Sequence, residues 1–218
     1  MRKVLVGVAL AAALAVVAAA NVSARADVLY DNFDVGDTYN TSTGWTIGAP
    51  LGQPFQEVGC PFTVSGSYTL TEITLASAYV TGPNVYTVWL MDDAGGVPGN
   101  VIEEFDFVDI GPFGQNNAPL VGVSALNPTL DDGSQYWLVC STDPSTWSAW
   151  NWNTTGDSGP FVYRLNGGDW LLNNFTLSVF RIEGDPVPGA PIVHPRADAR
   201  PVVAASETTD APAMTRLP

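Results

Sequence analysis

The stretch NVYTVWLMDDAGGVPGN, residues 84–100, decides the fold class. Its first half is dense in β-branched and aromatic residues, which favour strands, and its second half is a turn signal that reverses the chain. Val88 and Leu90 lie on one face of the predicted strand and Trp89 on the other, so both faces are apolar. Such a strand is typical of a sheet centre, and we expect residues 111–119 or a partner to cover its second face.

The same pattern recurs along the chain. SYTLTEITLASAYV, GSQYWLVCST and NFTLSVFRI, which begin at residues 67, 133 and 174, are rich in strand-forming residues, and DDGS, TGDSGP and NGGD provide turns. No stretch after residue 26 has a sustained apolar period of 3.6 residues, so helices are not expected. Residues 27–184 are predicted to form an all-β domain, an antiparallel β-sandwich of the jelly-roll type.

The first 26 residues predict an export signal. Arg2 and Lys3 precede an apolar run over residues 4–20, and Ala24-Arg25-Ala26 has the small-x-small pattern that signal peptidases cleave. Cleavage there makes Asp27 the mature N-terminus, and we expect a secreted or cell-surface protein of a bacterium. A retained membrane anchor is the alternative, for which the apolar run is at the lower limit of length.

The charge of the chain limits its partners. Loss of the signal removes three of eight basic residues and none of the 22 acidic ones, which leaves a formal charge of −17. Arg164 and Arg181 are the only basic residues between positions 27 and 184. Nucleic acids and anionic membranes are bound by clustered Lys and Arg, so neither is expected as a partner.

Residues 185–218 differ from the rest in composition. They hold seven prolines among 34 residues, together with alanine and scattered charge, which predicts a disordered tail. The tail has no apolar run long enough for a membrane helix, so no membrane span is expected in the mature protein. The only histidine, His194, lies there, which removes the usual partner from catalytic triads and many metal sites.

Cys60 and Cys140 are the only cysteines. An exported chain carries them into an oxidising compartment, so a disulfide between them is predicted. Two buried free thiols are the alternative.

Several motifs in a fixed order resemble the bacterial exported domains of the choice-of-anchor R type. They include VLYDNFDVGDTYN from residue 28, GQPF from residue 52, QYWLVCS from residue 135, WNWN from residue 150 and NGGDW from residue 166. The resemblance covers nearly all of residues 27–184 and implies a β-sandwich that precedes a surface-anchoring signal, often a Pro-Glu-Pro sorting segment. It implies no catalytic residues. No apolar helix follows DPVPGAP at residues 185–191, so a recognisable anchor is missing and free secretion is expected.

Three functions of different classes are compared. The first, which the acidic composition and the resemblance favour, is a non-catalytic structural or adhesive component of the cell surface or extracellular matrix. The second is a carbohydrate-binding module for extracellular polysaccharide, because sugar rings stack on tryptophan and sugar hydroxyls bond to Asn and Asp. Its candidate ligand-binding residues are Trp147, Trp150, Trp152, Trp170, Asn151, Asn153 and Asp169.

Core packing is the alternative role for these tryptophans. On a strand, Trp150 and Trp152 share one face, and Asn151 and Asn153 share the other. If the tryptophans point inward, we expect the asparagines to be exposed. Trp147 is then the best candidate for sugar stacking, because it follows a loop.

The third function is a glycoside hydrolase with paired carboxylates, either Glu103 with Glu104 or Asp131 with Asp132. Neighbouring strand residues point to opposite faces, so Glu103 and Glu104 do not form a pair, and the aspartates are expected to form a turn. The chain is therefore not expected to be an enzyme.

Asp31, Asp34 and Asp37 form a candidate structural calcium site, because hard cations take oxygen ligands. Loop acids that face water are the alternative. No other cofactor is expected.

Overall fold

The computed structural model describes residues 26–189 and 216–217. Residues 1–25 of the predicted signal and residues 190–215 and 218 of the predicted tail lie outside this part of the chain. The described residues form strands and no helix, so they hold no helix that could cross a membrane. The strands are β1 (Asp27–Asp31), β2 (Gly44–Gly48), β3 (Gln56–Thr63), β4 (Tyr68–Leu75), β5 (Ser77–Thr81), β6 (Val85–Asp93), β7 (Pro98–Val108), β8 (Leu120–Val123), β9 (Thr129–Leu130), β10 (Gln135–Thr142), β11 (Trp147–Asn151), β12 (Ser158–Leu165), β13 (Leu171–Thr176), β14 (Phe180–Pro186) and β15 (Arg216–Leu217).

These strands form two sheets. The small sheet has the order β1-β14-β4-β8, and β9 also pairs with β4. The large sheet has the order β5-β11-β2-β3-β10-β6-β7; in addition, β12 pairs with β3 and β13, and β15 pairs with β2. Every pairing between these strands is antiparallel. The prediction of an all-β antiparallel sandwich is confirmed.

The main core lies between the two sheets. Val88 and Leu90 on β6 are fully buried there, and they share one face of the strand, as their alternation predicts. Phe180 and Ile182 on β14 bring the small sheet into the same cluster. Each large apolar side chain buried in this way contributes about 1.5–3 kcal/mol, so this layer is the main source of stability.

β6 has a second apolar face, as predicted, and other residues of the same chain pack on it. Half-buried Trp89 packs there against a group of buried side chains that we call the outer cluster. Val97, from the turn between β6 and β7, and Trp170, from the turn between β12 and β13, pack on the same cluster. The buried members of the outer cluster are Met91, Trp137, Val139 and Val162.

Gly59 on β3 allows this cover to close. A Cβ atom at Gly59 would lie 3.0 Å from Cγ2 of Val162, 3.1 Å from Cγ2 of Val139 and 3.6 Å from Cγ of Pro98. The missing side chain therefore lets Pro98, at the start of β7, reach across β6 and β10 to β3. Residues 111–119, one of the two predicted covers, lie elsewhere: the backbone N–H of Phe113 in this segment donates to the carbonyl of Tyr79 on β5.

The small sheet extends beyond the predicted end of the domain. β14 continues to Pro186, and the N–H of Val187 donates to the carbonyl of Ser67 at 3.0 Å. The strand therefore runs two residues past residue 184, where the domain is predicted to end. Arg216–Leu217 also pairs with Gly44 and Trp45 of β2, although both residues belong to the tail predicted to be disordered.

Both cysteines are buried free thiols, and the predicted disulfide is not formed. Cys60 lies opposite Leu138 on β10, and Cys140 lies opposite Val58 on β3, so the two cysteines are diagonal neighbours. Diagonal Cα atoms on adjacent strands are about 7–8 Å apart, whereas a disulfide usually joins Cα atoms about 4.4–6.8 Å apart. The structure therefore has the arrangement that sequence analysis gave as the alternative.

Candidate functional site

Trp150 belongs to the core. It lies opposite Trp45 on β2 and is fully buried, with its ring centroid 5.8 Å from that of Phe180 in the small sheet. Its Nε1–H donates to the backbone carbonyl of Val179 at 3.0 Å. Trp150 therefore has no free ring face for a sugar.

Trp152 lies at the edge of the same core. It is half-buried, and its ring centroid is 5.2 Å from that of Trp45 and 5.4 Å from that of Phe175. These edge and tilted contacts are the favourable geometries for aromatic pairs, so Trp152 packs with its neighbours.

The asparagines beside these tryptophans are buried, contrary to the expectation that inward tryptophans would leave them exposed. Asn151 is 1% exposed, and its Nδ2 donates to the carbonyl of Asn40 at 2.8 Å. Asn153 is 5% exposed, and its Nδ2 donates to the carbonyls of Asp157 and Leu177. The carbonyls of Asp157 and Leu177 also accept backbone N–H groups, so the side-chain amide of Asn153 adds a second hydrogen bond to each. Both asparagines hold loops in place.

Trp147, at the start of β11, is the remaining candidate in this stretch. It is half-buried and lies opposite Gly48 and Thr81. Its Nε1 atom is buried and has no hydrogen-bond partner within the described part of the chain, and the same is true of Asn151 Oδ1 and Thr46 Oγ1. Alternation places these three residues on the same face of β2 and β11, opposite to Trp150.

Trp170 and Asp169 lie apart from this stretch. Asp169 is exposed, and Trp170 is half-buried on the outer cluster rather than between the sheets. The structure therefore does not bring the seven predicted ligand-binding residues onto one surface.

A row of polar side chains crosses the large sheet on its outer face, next to the outer cluster. Thr87 on β6 donates to Asp106 Oδ1 on β7 at 2.8 Å. Ser141 on β10 lies opposite Thr87 and donates to Glu57 Oε1 on β3 at 2.8 Å. Arg164 on β12 lies opposite Glu57 and donates to it through Nε. The row thus joins five adjacent strands.

Trp89 and Trp170 flank this row. The Nε1–H of Trp89 donates to Glu104 Oε2 at 2.8 Å, and the guanidinium carbon of Arg164 lies 4.4 Å from the ring centroid of Trp170. Glu57 is 4% exposed, and Arg164 neutralises its charge. We call Trp89, Thr87, Glu57, Arg164 and Trp170 the outer platform. The outer platform was not predicted from the sequence, because only strand register brings residues 57, 87 and 164 together.

Three of the four carboxylates considered for hydrolysis, Glu103, Glu104 and Asp132, have structural partners. Glu103 is 4% exposed and accepts hydrogen bonds from Ser124 Oγ and from the N–H groups of Ala125 and Leu126, which tie β7 to the loop after β8. Glu104 points to the opposite face, as alternation predicts. Asp132 accepts from the N–H of Gly66 at 2.7 Å within a turn.

The three acids of the candidate calcium site bind other groups. Asp31 and Asp37 both accept hydrogen bonds from Arg181, which lies on β14 opposite Asp31. Asp34 accepts from the N–H of Val35 and, at 3.3 Å, from Thr154 Oγ1. Across residues 26–189 and 216–217, no group of three or more acidic, cysteine or histidine side chains is arranged to hold a metal ion.

These features define an acidic, two-sheet antiparallel β-sandwich with a polar and aromatic platform on the outer face of its larger sheet. No family model matches the chain, and no significant match was found among curated proteins or solved structures.

Proposed function

We propose that the chain is an exported, non-catalytic β-sandwich domain with a structural or adhesive role at the bacterial surface or in the extracellular matrix. The observation that carries this proposal is that polar side chains of the types used in catalysis and ligand binding instead hold loops in place. Glu103, Asn151 and Asn153 are all buried and bond to groups that fasten loops to the sandwich. Polar groups used in this way rigidify a scaffold.

The surface charge agrees with the proposal. A formal charge of −17 for the mature chain favours solubility and disfavours anionic surfaces, so contacts with a matrix would be made by neutral groups. The leader, the acidic sandwich and the resemblance to choice-of-anchor domains point in the same direction.

Fractionation of the producing bacterium tests this proposal. We expect the protein in the medium or matrix fraction with Asp27 at its N-terminus, and we expect a deletion strain to form a less cohesive matrix. A cytoplasmic protein that still begins at Met1, or a deletion strain with unchanged matrix, would contradict the proposal.

Carbohydrate binding is a second candidate, which one specific observation favours. Two half-buried tryptophans, Trp89 and Trp170, lie on the same outer face of the large sheet. Of the seven residues predicted for this function, Trp170 and Asp169 lie beside that face, whereas Trp147 lies on β11 and is not part of the outer platform.

A further inference from the structure

We propose that the outer platform binds a chain of neutral sugars, with Trp89 and Trp170 as stacking surfaces and Arg164 as the hydrogen-bond donor. The inference rests on the adhesive function proposed above and names the ligand class through which adhesion occurs.

The outer platform extends across four strands of the large sheet. Trp89 lies on β6 and Arg164 on β12, and β10 and β3 lie between them. Three strand spacings amount to about 14 Å, which is the length of a few linked sugar rings rather than of one. An extended chain that crosses the strands can therefore reach both ends of the platform.

The two tryptophan side chains of the outer platform are held in place before any ligand binds. Trp89 is held by its hydrogen bond to Glu104, and Trp170 is held against the Arg164 guanidinium. Both rings also rest on the outer cluster, whose members are at most 6% exposed. Side chains that are already fixed lose little conformational entropy when a ligand binds, which favours affinity.

Arg164 supplies hydrogen-bond donors to the outer platform. A guanidinium group carries five N–H donors, and in residues 26–189 Arg164 makes a hydrogen bond only through Nε, to Glu57. Its side chain remains 26% exposed. The terminal nitrogens are thus available to sugar hydroxyls at the edge of the Trp170 ring.

The charge of the outer platform and its surroundings favours a neutral ligand. Glu57 neutralises Arg164, so the platform offers donors without a net positive charge. Glu104, Asp106 and Asp169 surround it with negative charge. Acidic polysaccharides would be repelled by these carboxylates, whereas neutral ones would not.

Affinity electrophoresis of the full chain tests the ligand class. The gels contain either a neutral polysaccharide (mixed-linkage β-glucan, xyloglucan or galactomannan) or an acidic one (alginate or polygalacturonate). We expect at least one neutral polysaccharide to retard the protein and neither acidic one to do so. Retardation by the acidic polymers alone, or by none of the five, would overturn the inference.

Paired substitutions test the location. Trp89→Ala and Trp170→Ala should each weaken binding about ten-fold or more, because each removes a stacking face. Trp147→Ala, a half-buried tryptophan outside the platform, is the matched control and should change binding less than about two-fold. Trp89→Phe and Trp170→Phe keep a ring and should retain part of the affinity, which separates lost stacking from lost folding. Equal binding by the parent and both alanine variants would refute the platform.

The results also distinguish this inference from the proposed function. If the protein is retained in the matrix but binds no neutral polysaccharide, the platform fails and the adhesive role stands. If it binds neutral polysaccharide through Trp89 and Trp170 but deletion leaves the matrix unchanged, the adhesive role fails and the binding site stands.

Discussion

Trp150 and Val179 are joined by a hydrogen bond of 3.0 Å from the indole Nε1–H to the backbone carbonyl, which connects β11 to the segment that enters β14. The N–H of Val179 in turn donates to the carbonyl of Asn151 at 2.9 Å. The tryptophan-rich stretch thus fastens the large sheet to the small one, and its contribution to stability can be measured.

Trp150→Ala should lower the free energy of unfolding by about 3–5 kcal/mol, because it leaves a large cavity between the sheets. Trp150→Phe should lower the free energy of unfolding by less, because it keeps most of the buried ring. Its remaining cost comes from the lost hydrogen bond to Val179. Urea unfolding followed by circular dichroism gives both values. The half-buried Trp147 provides the control, and a loss for Trp147→Ala as large as that for Trp150→Ala would contradict the assignment of Trp150 to the core.

Asn153→Ala should destabilise the protein by about 1–3 kcal/mol, because it leaves the buried carbonyl of Leu177 without its side-chain donor. Asn116 is exposed, so Asn116→Ala is the matched control and should change stability by less than about 0.5 kcal/mol. Equal midpoints of urea unfolding for the two variants would show that Asn153 is not a structural residue.

Glu103→Gln should lower the free energy of unfolding by about 1–3 kcal/mol, because an amide cannot accept at both positions where the carboxylate binds Ser124, Ala125 and Leu126. The neighbouring Glu104→Gln should have a smaller effect, since this residue lies on the exposed side of β7. Differential scanning calorimetry compares the two. An unchanged melting temperature for Glu103→Gln would leave this carboxylate without a structural role.

The two thiols should be unreactive in the folded protein. Cys60 and Cys140 are both 0% exposed, and burial raises the pKa of each, which suppresses the reactive thiolate. Without reductant, we expect iodoacetamide to modify neither cysteine in the native state and both in urea, as counted by mass spectrometry. Two cysteines that resist alkylation in urea would indicate a disulfide.

Stability should fall as the pH rises from about 9 towards 12. Burial raises the pKa of the Cys60 thiol from an ordinary value of 9.0 to about 12. In that window the thiol ionises in the unfolded chain and stays protonated in the folded one, so unfolding releases a proton and higher pH favours it. Urea midpoints at pH 7.5, 9 and 10 measure the slope, and Cys60→Ala should reduce it without abolishing it, because burial also raises the pKa of Cys140. A stability that rises over this range would contradict the prediction.

The sequence by itself determined the all-β class. Alternating β-branched and aromatic residues, interrupted by Gly, Asp and Asn turns, leave no other regular structure for residues 27–184, because the two-residue period is a local property. The same local rule correctly placed Val88 and Leu90 on one face of their strand, opposite Trp89, and Glu103 and Glu104 on opposite faces.

Only the tertiary structure decided the roles of the polar residues. Asn153 is polar and was expected at the surface, but it is buried, and its amide donates to two backbone carbonyls of the loops that pack around it. Glu57, Arg164 and Trp170 form one group because β3 pairs with β12 in a particular register. Register depends on contacts between strands far apart in sequence, so the pattern within any one strand does not encode it.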